Sequence, residues 1–528
     1  VFSAISAFRD NLKTGVVVKS RRTILGLLTI ALLWLPAKAV AQAAPGDPQL
    51  RAAFDAFYRG DQAAAMAAFG DLAAKRPNDL AGPFGQLLVE HFRLGPYSDP
   101  SPAFESHIDG FINRAVGRVD RDRNDMDAVF HAAFAYTLRS AYRFQHQRGV
   151  VSAARDGGKA RGYIDDYLKR HPENADAYLV RGMYNYFVDL APSFVHVFRF
   201  LLFLPGGDRT GGLKDIEFTA ARGTYYSRLA QLQLVPIYGA LEGRSVEALA
   251  LGERLAAELP TSDDVAFAIA DVYSSPSVEN RERAARTYGA VIERHRTDSS
   301  PDGVNTRDRA LFGLAGARFD AWRGEEAIEI LTNTIDNSGA APPWVVPRFL
   351  LRRAGYLNLL NDPRADDDVK RVLANPAWKK FWDDAKDAAK AMQDFRSSGE
   401  APLYAFLVPA NRLVVEGKYD EAQRAYETIA RGHMDAAQVR YRLAYLAFAR
   451  GRDAEAQPEF EALTVARGAS DWIRAGSWLY LGRIDDLAGR RPAAQKAYQR
   501  VVDDYDGQRA ALAAQVGLIT PYKRPPRG

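Results

Sequence analysis

Apolar side chains recur along this chain at intervals of three and four residues rather than two. Over 127–147, 161–171, 177–190, 265–273, 283–295 and 310–322 the spacing predicts amphipathic helices. A further helix is predicted over 374–395. There Trp378, Phe381, Trp382, Ala385, Ala389, Met392 and Phe395 fall on one face, with Lys379, Lys380, Asp383, Asp384 and Lys386 mostly opposite. No alternating run of useful length competes, so the mature chain reads as nearly all α-helix. Gly, Pro, Ser and Asp cluster at 95–102, 205–212, 297–306, 338–343 and 397–402 and break the pattern. The stretch 520–528 holds three prolines with Lys523, Arg524 and Arg527, and reads as a frayed tail.

Superimposed on the helical spacing is a motif: a glycine, an alanine five residues later and an aromatic nine residues later. Gly60, Ala65 and Phe69 carry it, as do Gly417, Ala422 and Tyr426, then Gly451, Ala456 and Phe460, then Gly489, Ala494 and Tyr498. Gly417 and Gly451 are 34 residues apart and Gly451 and Gly489 are 38, one helical turn more. A fifth copy, Gly243, Ala248 and Pro260, has Gly252 in place of the aromatic; in the first copy Pro77 follows Gly60 by 17 residues. Each type has a physical reason. Glycine takes positive φ in a tight inter-helix turn, alanine lets two helices approach, the aromatic fills the space to the next pair, and proline stops the second helix. One pair cannot bury its own apolar stripe, so neighbours must stack.

This pattern resembles the tetratricopeptide repeat, a 34-residue helix-turn-helix unit with a tryptophan, leucine and glycine in its first helix. Trp478, Leu481 and Gly482 ahead of Gly489 match best. The resemblance implies an all-α fold: an α-solenoid of stacked antiparallel helix pairs. The expected organisation is an N-terminal extension and signal peptide over 1–41, helical repeats over 42–205, degenerate repeats over 206–400, the clearest repeats over 401–518 and a disordered tail over 519–528. The elements Tyr184-x-Tyr186, Pro192 and 205–213 are similar to a group of exported bacterial repeat proteins, which brings no activity with it.

Positions 2, 5, 9 and 12 of each first helix line the concave groove in that family. Here they are Tyr404, Leu407, Asn411 and Val414, then Gln438, Tyr441, Tyr445 and Phe448, then Leu479, Arg483 and Asp486. Aromatic and arginine side chains anchor interfaces, so a protein or peptide partner is expected on this face. The competing reading is that another segment of the chain already covers it.

Charge does not point to nucleic acid. The formal excess is +5, but six of the 70 basic residues and one of the 65 acidic ones lie in 1–41, which leaves 64 of each beyond it. That leader reads as a secretory signal. Lys19, Arg21 and Arg22 start it, an apolar run covers 24–35, and Ala39-Val40-Ala41 suits cleavage before Gln42. Pro36 and Lys38 close the run short of the roughly 20 residues a membrane span needs. No transmembrane span is therefore expected after cleavage, and the compartment expected is periplasmic or otherwise extracytoplasmic. The run Ser20-Arg21-Arg22-Thr23-Ile24-Leu25 also resembles a twin-arginine signal. Residues 1–18 read as preceding the true start, since Val opens the sequence.

Catalytic signatures are absent from the sequence. There is no cysteine, which removes disulfides, thiolate nucleophiles and cysteine metal sites; the eight histidines fall in no metal-ligand spacing. Asp165-Asp166, Asp383-Asp384 and Asp503-Asp504 read as solvated helix faces. The run 206–212 is glycine-rich, but Leu213 and Lys214 follow it where a phosphate loop needs Lys then Ser or Thr, so Asp208 reads as the N-cap of a helix beginning near Arg209. Just before it, 194–205 is apolar almost all round, with only His196 and Arg199 sharing a polar stripe. It is expected as a helix buried in the superhelix, or as the wall of an apolar pocket lined by Phe194, Phe198, Phe200, Leu201 and Phe203. The sequence thus leaves three functions in order: a non-catalytic binding scaffold, a carrier of an apolar small molecule beside a transport system, and an enzyme assembled from several repeats. No metal or cofactor is expected.

Overall fold

The computed structural model describes residues 46–524 except 96, 147–148, 190–205, 276–277, 279, 399–400 and 434–435. Among the described residues the regular elements are helices without a strand, from Pro48–Tyr58 to Arg509–Ile519. Within each unit of the chain neighbouring helices pack on one another in antiparallel pairs and the pairs stack, so the architecture is an α-solenoid. Contacts divide the chain into two units. The first ends at Gln231, and the second runs from Leu232 and includes Tyr97–Asp99.

All five motif glycines, Gly60, Gly243, Gly417, Gly451 and Gly489, stand at φ between 64° and 81°. At Gly60, Gly417, Gly451 and Gly489 the turn recurs bond for bond, whereas at Gly243, which follows a π-helical turn, Arg244 donates to Tyr238 six residues back. The amide of Gly451 donates to the carbonyl of Phe448 and that of Arg452 to Ala447, each at 2.9 Å; Gly489 to Asp486 and Arg490 to Asp485 repeat it at 3.0 and 2.8 Å. This is the left-handed helix stop in which two otherwise unbonded carbonyls are satisfied. The motif alanines 65, 248, 422, 456 and 494 and the aromatics Phe69, Tyr426, Phe460 and Tyr498 are all fully buried. Where Gly252 replaces the aromatic, Ile269 of the next helix lies against it.

Most helices predicted from periodicity form with shifted ends: Met126–Gln145, Val150–Leu168, Ala177–Asp189, Asp263–Ser274 and Arg281–Arg294. Asp208 caps the helix Arg209–Arg222, accepting from the amide of Gly211 at 2.9 Å. Three expectations need correction. The break placed at 297–306 contains the start of helix Pro301–Asp320, because Ser300 accepts from the amide of Gly303 and Pro301 occupies the first turn, where its missing N–H costs nothing. The single helix over 374–395 is a 3₁₀ segment, Pro376–Phe381, followed by helix Trp382–Ser397, with Trp378 off helical geometry. On that second helix Ala385 and Met392 are buried while Ala389 is exposed. Finally, the stretch expected to fray is described as far as Arg524, and Tyr522 packs into the core cluster of the last repeats.

Candidate functional site

The last repeats place the predicted face residues on three first helices: Ala401–Val415, Ala437–Ala449 and Asp471–Leu487. On the first, Leu407, Asn411 and Val414 are buried against the Ala422 and Tyr426 side of the neighbouring helix. Asn411 accepts the Tyr426 hydroxyl at 2.5 Å, while its own amide nitrogen is buried with no hydrogen-bond partner. Tyr404 is half-buried between Trp322 and Phe395, with both ring centroids 5.8 Å away, and burial pushes its phenol up to about 12.

On the second and third helices the side chains converge. Tyr480 lies at the centre, 5.3 Å from Tyr445, 5.0 Å from Phe448 and 5.2 Å from Phe460 between ring centroids. Tyr441 meets Phe460 and Trp472 edge-on at 5.8 and 5.2 Å. Gln438, Tyr441, Phe448 and Leu479 are buried and Tyr445 is half-buried. Arg442 projects among Trp322, Tyr441 and Trp472, its guanidinium 5.0, 5.6 and 5.4 Å from the ring centroids, attracted by their π faces. Its Nε is buried with no hydrogen-bond partner.

Arg483 and Asp486 complete the cluster. The Arg483 guanidinium sits 5.1 Å from the ring of Tyr480 and 4.8 Å from that of Tyr522. The Asp486 side chain is wholly enclosed and accepts from Arg491 at 3.0 Å, from the Tyr498 hydroxyl at 2.8 Å and from the backbone amide of Tyr522 at 2.8 Å. The structure therefore gathers Tyr441, Tyr445, Phe448, Arg483 and Asp486 into one place and leaves Asn411 against Tyr426 and Tyr404 between Trp322 and Phe395. Much of this face is covered by the chain itself. Arg524 pairs with Asp453 at 2.5 Å beside this cluster, and sequence reasoning missed Tyr480, Arg442, Asp453, Tyr522 and Arg524. For the last two the signal was an aromatic and an arginine alternating through a proline-rich stretch.

The other predicted site, Phe194, Phe198, Phe200, Leu201 and Phe203, lies outside the described residues. Within the first unit a cleft of about 540 Å³ is lined by Glu105, Ile108, Asp109, Arg139, Tyr142, Arg143, Gly149 and Ser152. Its charges are matched internally. Arg139 makes a two-pronged bond to buried Asp156 at 2.9 and 2.7 Å and reaches Asp109 at 2.5 Å, while Arg143 bonds Asp156 at 2.7 Å. Among the described residues no three His, Asp or Glu side chains come together as a metal site, and no helix is long and apolar enough to cross a membrane.

No family model matches this chain, and no curated protein does. Among solved structures, the crystal structure of the APC/C hetero-tetramer Cut9-Hcn1 is similar at 11% identity, covering 86% of each chain with a TM-score of 0.21. A score that low adds nothing to what the helices themselves show.

Proposed function

We propose that this chain is an exported, non-catalytic repeat scaffold that binds a protein or peptide on the first-helix faces of its C-terminal pairs. One observation carries the reading: Tyr445, Phe448, Tyr480, Arg483 and Asp486 meet on one face, and Phe448, Arg483 and Asp486 among them, with Asp453 of the adjoining helix, already hold a non-helical segment, 521–524, by rings, an ion pair and a backbone hydrogen bond. A surface that takes one such stretch of chain has the chemistry to take another. Export rests on the leader alone: its basic start, apolar run and small residues at 39 and 41.

Photo-crosslinking in the native envelope tests the binding reading. A benzophenone side chain at half-buried Tyr445 is expected to yield discrete protein adducts, and one at exposed Lys496 on a second helix is not. Absence of adducts from Tyr445, or the same adducts from both positions, sinks it. N-terminal sequencing of the mature protein checks the leader, with Gln42 as the expected first residue.

A further inference from the structure

The segment that follows helix Arg509–Ile519 is placed by its side chains in alternation. Pro521 and Lys523 are exposed, whereas Tyr522 and Arg524 are half-buried. That is the pattern of an extended stretch presenting one face, with residues i and i+2 on the same side. Tyr522 lies 6.0 Å from the Phe448 ring and stacks under Arg483, while its backbone amide donates to Asp486. Two residues on, Arg524 reaches the turn between helices Ala437–Ala449 and Asp453–Val465. Its guanidinium covers the Phe448 ring at 4.5 Å, bonds the Phe448 carbonyl and pairs with Asp453 at 2.5 Å.

That turn is suited to a cation. The Phe448 carbonyl in the last turn of helix Ala437–Ala449 and the full negative charge of Asp453, the first residue of the next helix, both lie within its reach. Phe448 provides the apolar floor that an arginine stacks on better than a lysine does. Below Arg483, the rings of Tyr480 and Phe448 form the wall against which an aromatic side chain packs.

The geometry points to a peptide-recognition site on this face for an extended segment of a partner protein that carries an aromatic residue and, two residues later, an arginine. The chain's own Tyr522-Lys523-Arg524 is a built-in occupant that such a partner displaces. The proposal rests on the scaffold reading above and deepens it by naming the ligand chemistry. The contacts are few and the Arg524–Asp453 pair is partly exposed, so the intrinsic affinity is modest. Tethering compensates: at an effective concentration of about 1 mM and an intrinsic Kd of about 100 μM, the segment lowers the apparent affinity of a competing peptide about ten-fold.

The test uses the full chain and a fluorescein-labelled synthetic peptide with the sequence of residues 518–528, followed by fluorescence anisotropy. The variant Tyr522→Ala/Arg524→Ala, which clears the site, is expected to bind the peptide about ten-fold more tightly than the wild-type chain. A peptide with alanine at both positions binds neither. Adding Asp453→Lys to the cleared variant abolishes binding. Equal affinity of wild-type and cleared chains, no binding by a cleared chain of unchanged helical content, or equal binding of the alanine peptide overturns the proposal. If the double variant loses helicity, the single variant Arg524→Glu stands in the same comparison. Failure here together with retained adducts from Tyr445 removes this ligand assignment and leaves the scaffold reading standing; loss of both removes the two together.

Discussion

The carboxylate of Asp486 accepts the backbone amide of Tyr522 at 2.8 Å, joining the last motif-bearing repeat to a segment 36 residues further along the chain. The same carboxylate, fully enclosed, holds Arg491 and the Tyr498 hydroxyl. Arg491 in turn donates to the carbonyl of Leu518, the last turn of helix Arg509–Ile519. Asp486 therefore organises a repeat, its closing helix and the segment beyond it.

Replacing Asp486 by alanine strands Arg491 and the Tyr498 hydroxyl together, and the expected loss is about 3 kcal/mol, the scale of a broken buried pair. Tyr522→Ala leaves those partners satisfied and is expected to cost under about 1 kcal/mol. Urea unfolding followed by circular dichroism separates the two; comparable losses would show that the enclosed carboxylate is not the organiser.

Gly482 lets the ring of Tyr498 lie directly on helix Asp471–Leu487, since a Cβ there would come within 2.5 Å of it. Gly482→Ala is expected to destabilise by about 1–3 kcal/mol through overpacking. Tyr498→Ala, which empties a fully buried ring site, should cost about 3–5 kcal/mol. The two changes combined should cost less than their sum, because the alanine methyl fills part of the vacated space. A double-mutant cycle on thermal unfolding reads that coupling, and strict additivity would count against the contact.

Two glycines should respond to alanine with opposite sign. Gly489 stands at φ 75°, where an L side chain costs about 1–2 kcal/mol. Gly289 is inside helix Arg281–Arg294, with open space where an added methyl would sit, so Gly289→Ala should stabilise by about 0.5–1 kcal/mol. Denaturation midpoints moving in the same direction would contradict the assigned turn.

Burial raises the carboxyl of Asp308 from 3.8 to about 6, and one of its oxygens is buried with no hydrogen-bond partner. The folded chain then holds this proton more tightly than the unfolded chain between pH 6 and about 4. The group's cost to stability is complete above pH 6 and fades as pH falls through that window. Acidification from pH 7 to 5 should recover about 1 kcal/mol at this site. Asp308→Asn should raise the melting temperature at pH 7 and flatten its change towards pH 5. Asp264, also raised to about 6 by burial, accounts for a remaining slope. An unaltered pH profile in the variant would refute the assignment.

What the chain determines by itself is everything that one helix pair can enforce. Gly60, Gly417, Gly451 and Gly489 announce their turns because only glycine takes that conformation cheaply, and Ala456 or Tyr498 announce burial by size and spacing within a single repeat. Local physics also explains the break misplaced at 297–306 and the one missed within 374–395: Ser300-Pro301 and Asn375-Pro376 act as helix starts, a meaning that apolar periodicity alone does not carry. Tertiary structure decided the rest. Tyr480 stands at a position between the two faces that repeat spacing distinguishes, and it becomes central only when rings from two helices and the segment after Ile519 meet around it. Arg524 and the Phe448 carbonyl are 76 residues apart, and Asp486 and Tyr522 are 36 apart. Pairings of that range follow from which surfaces the stacked helices leave facing each other, and no periodicity along the chain encodes them.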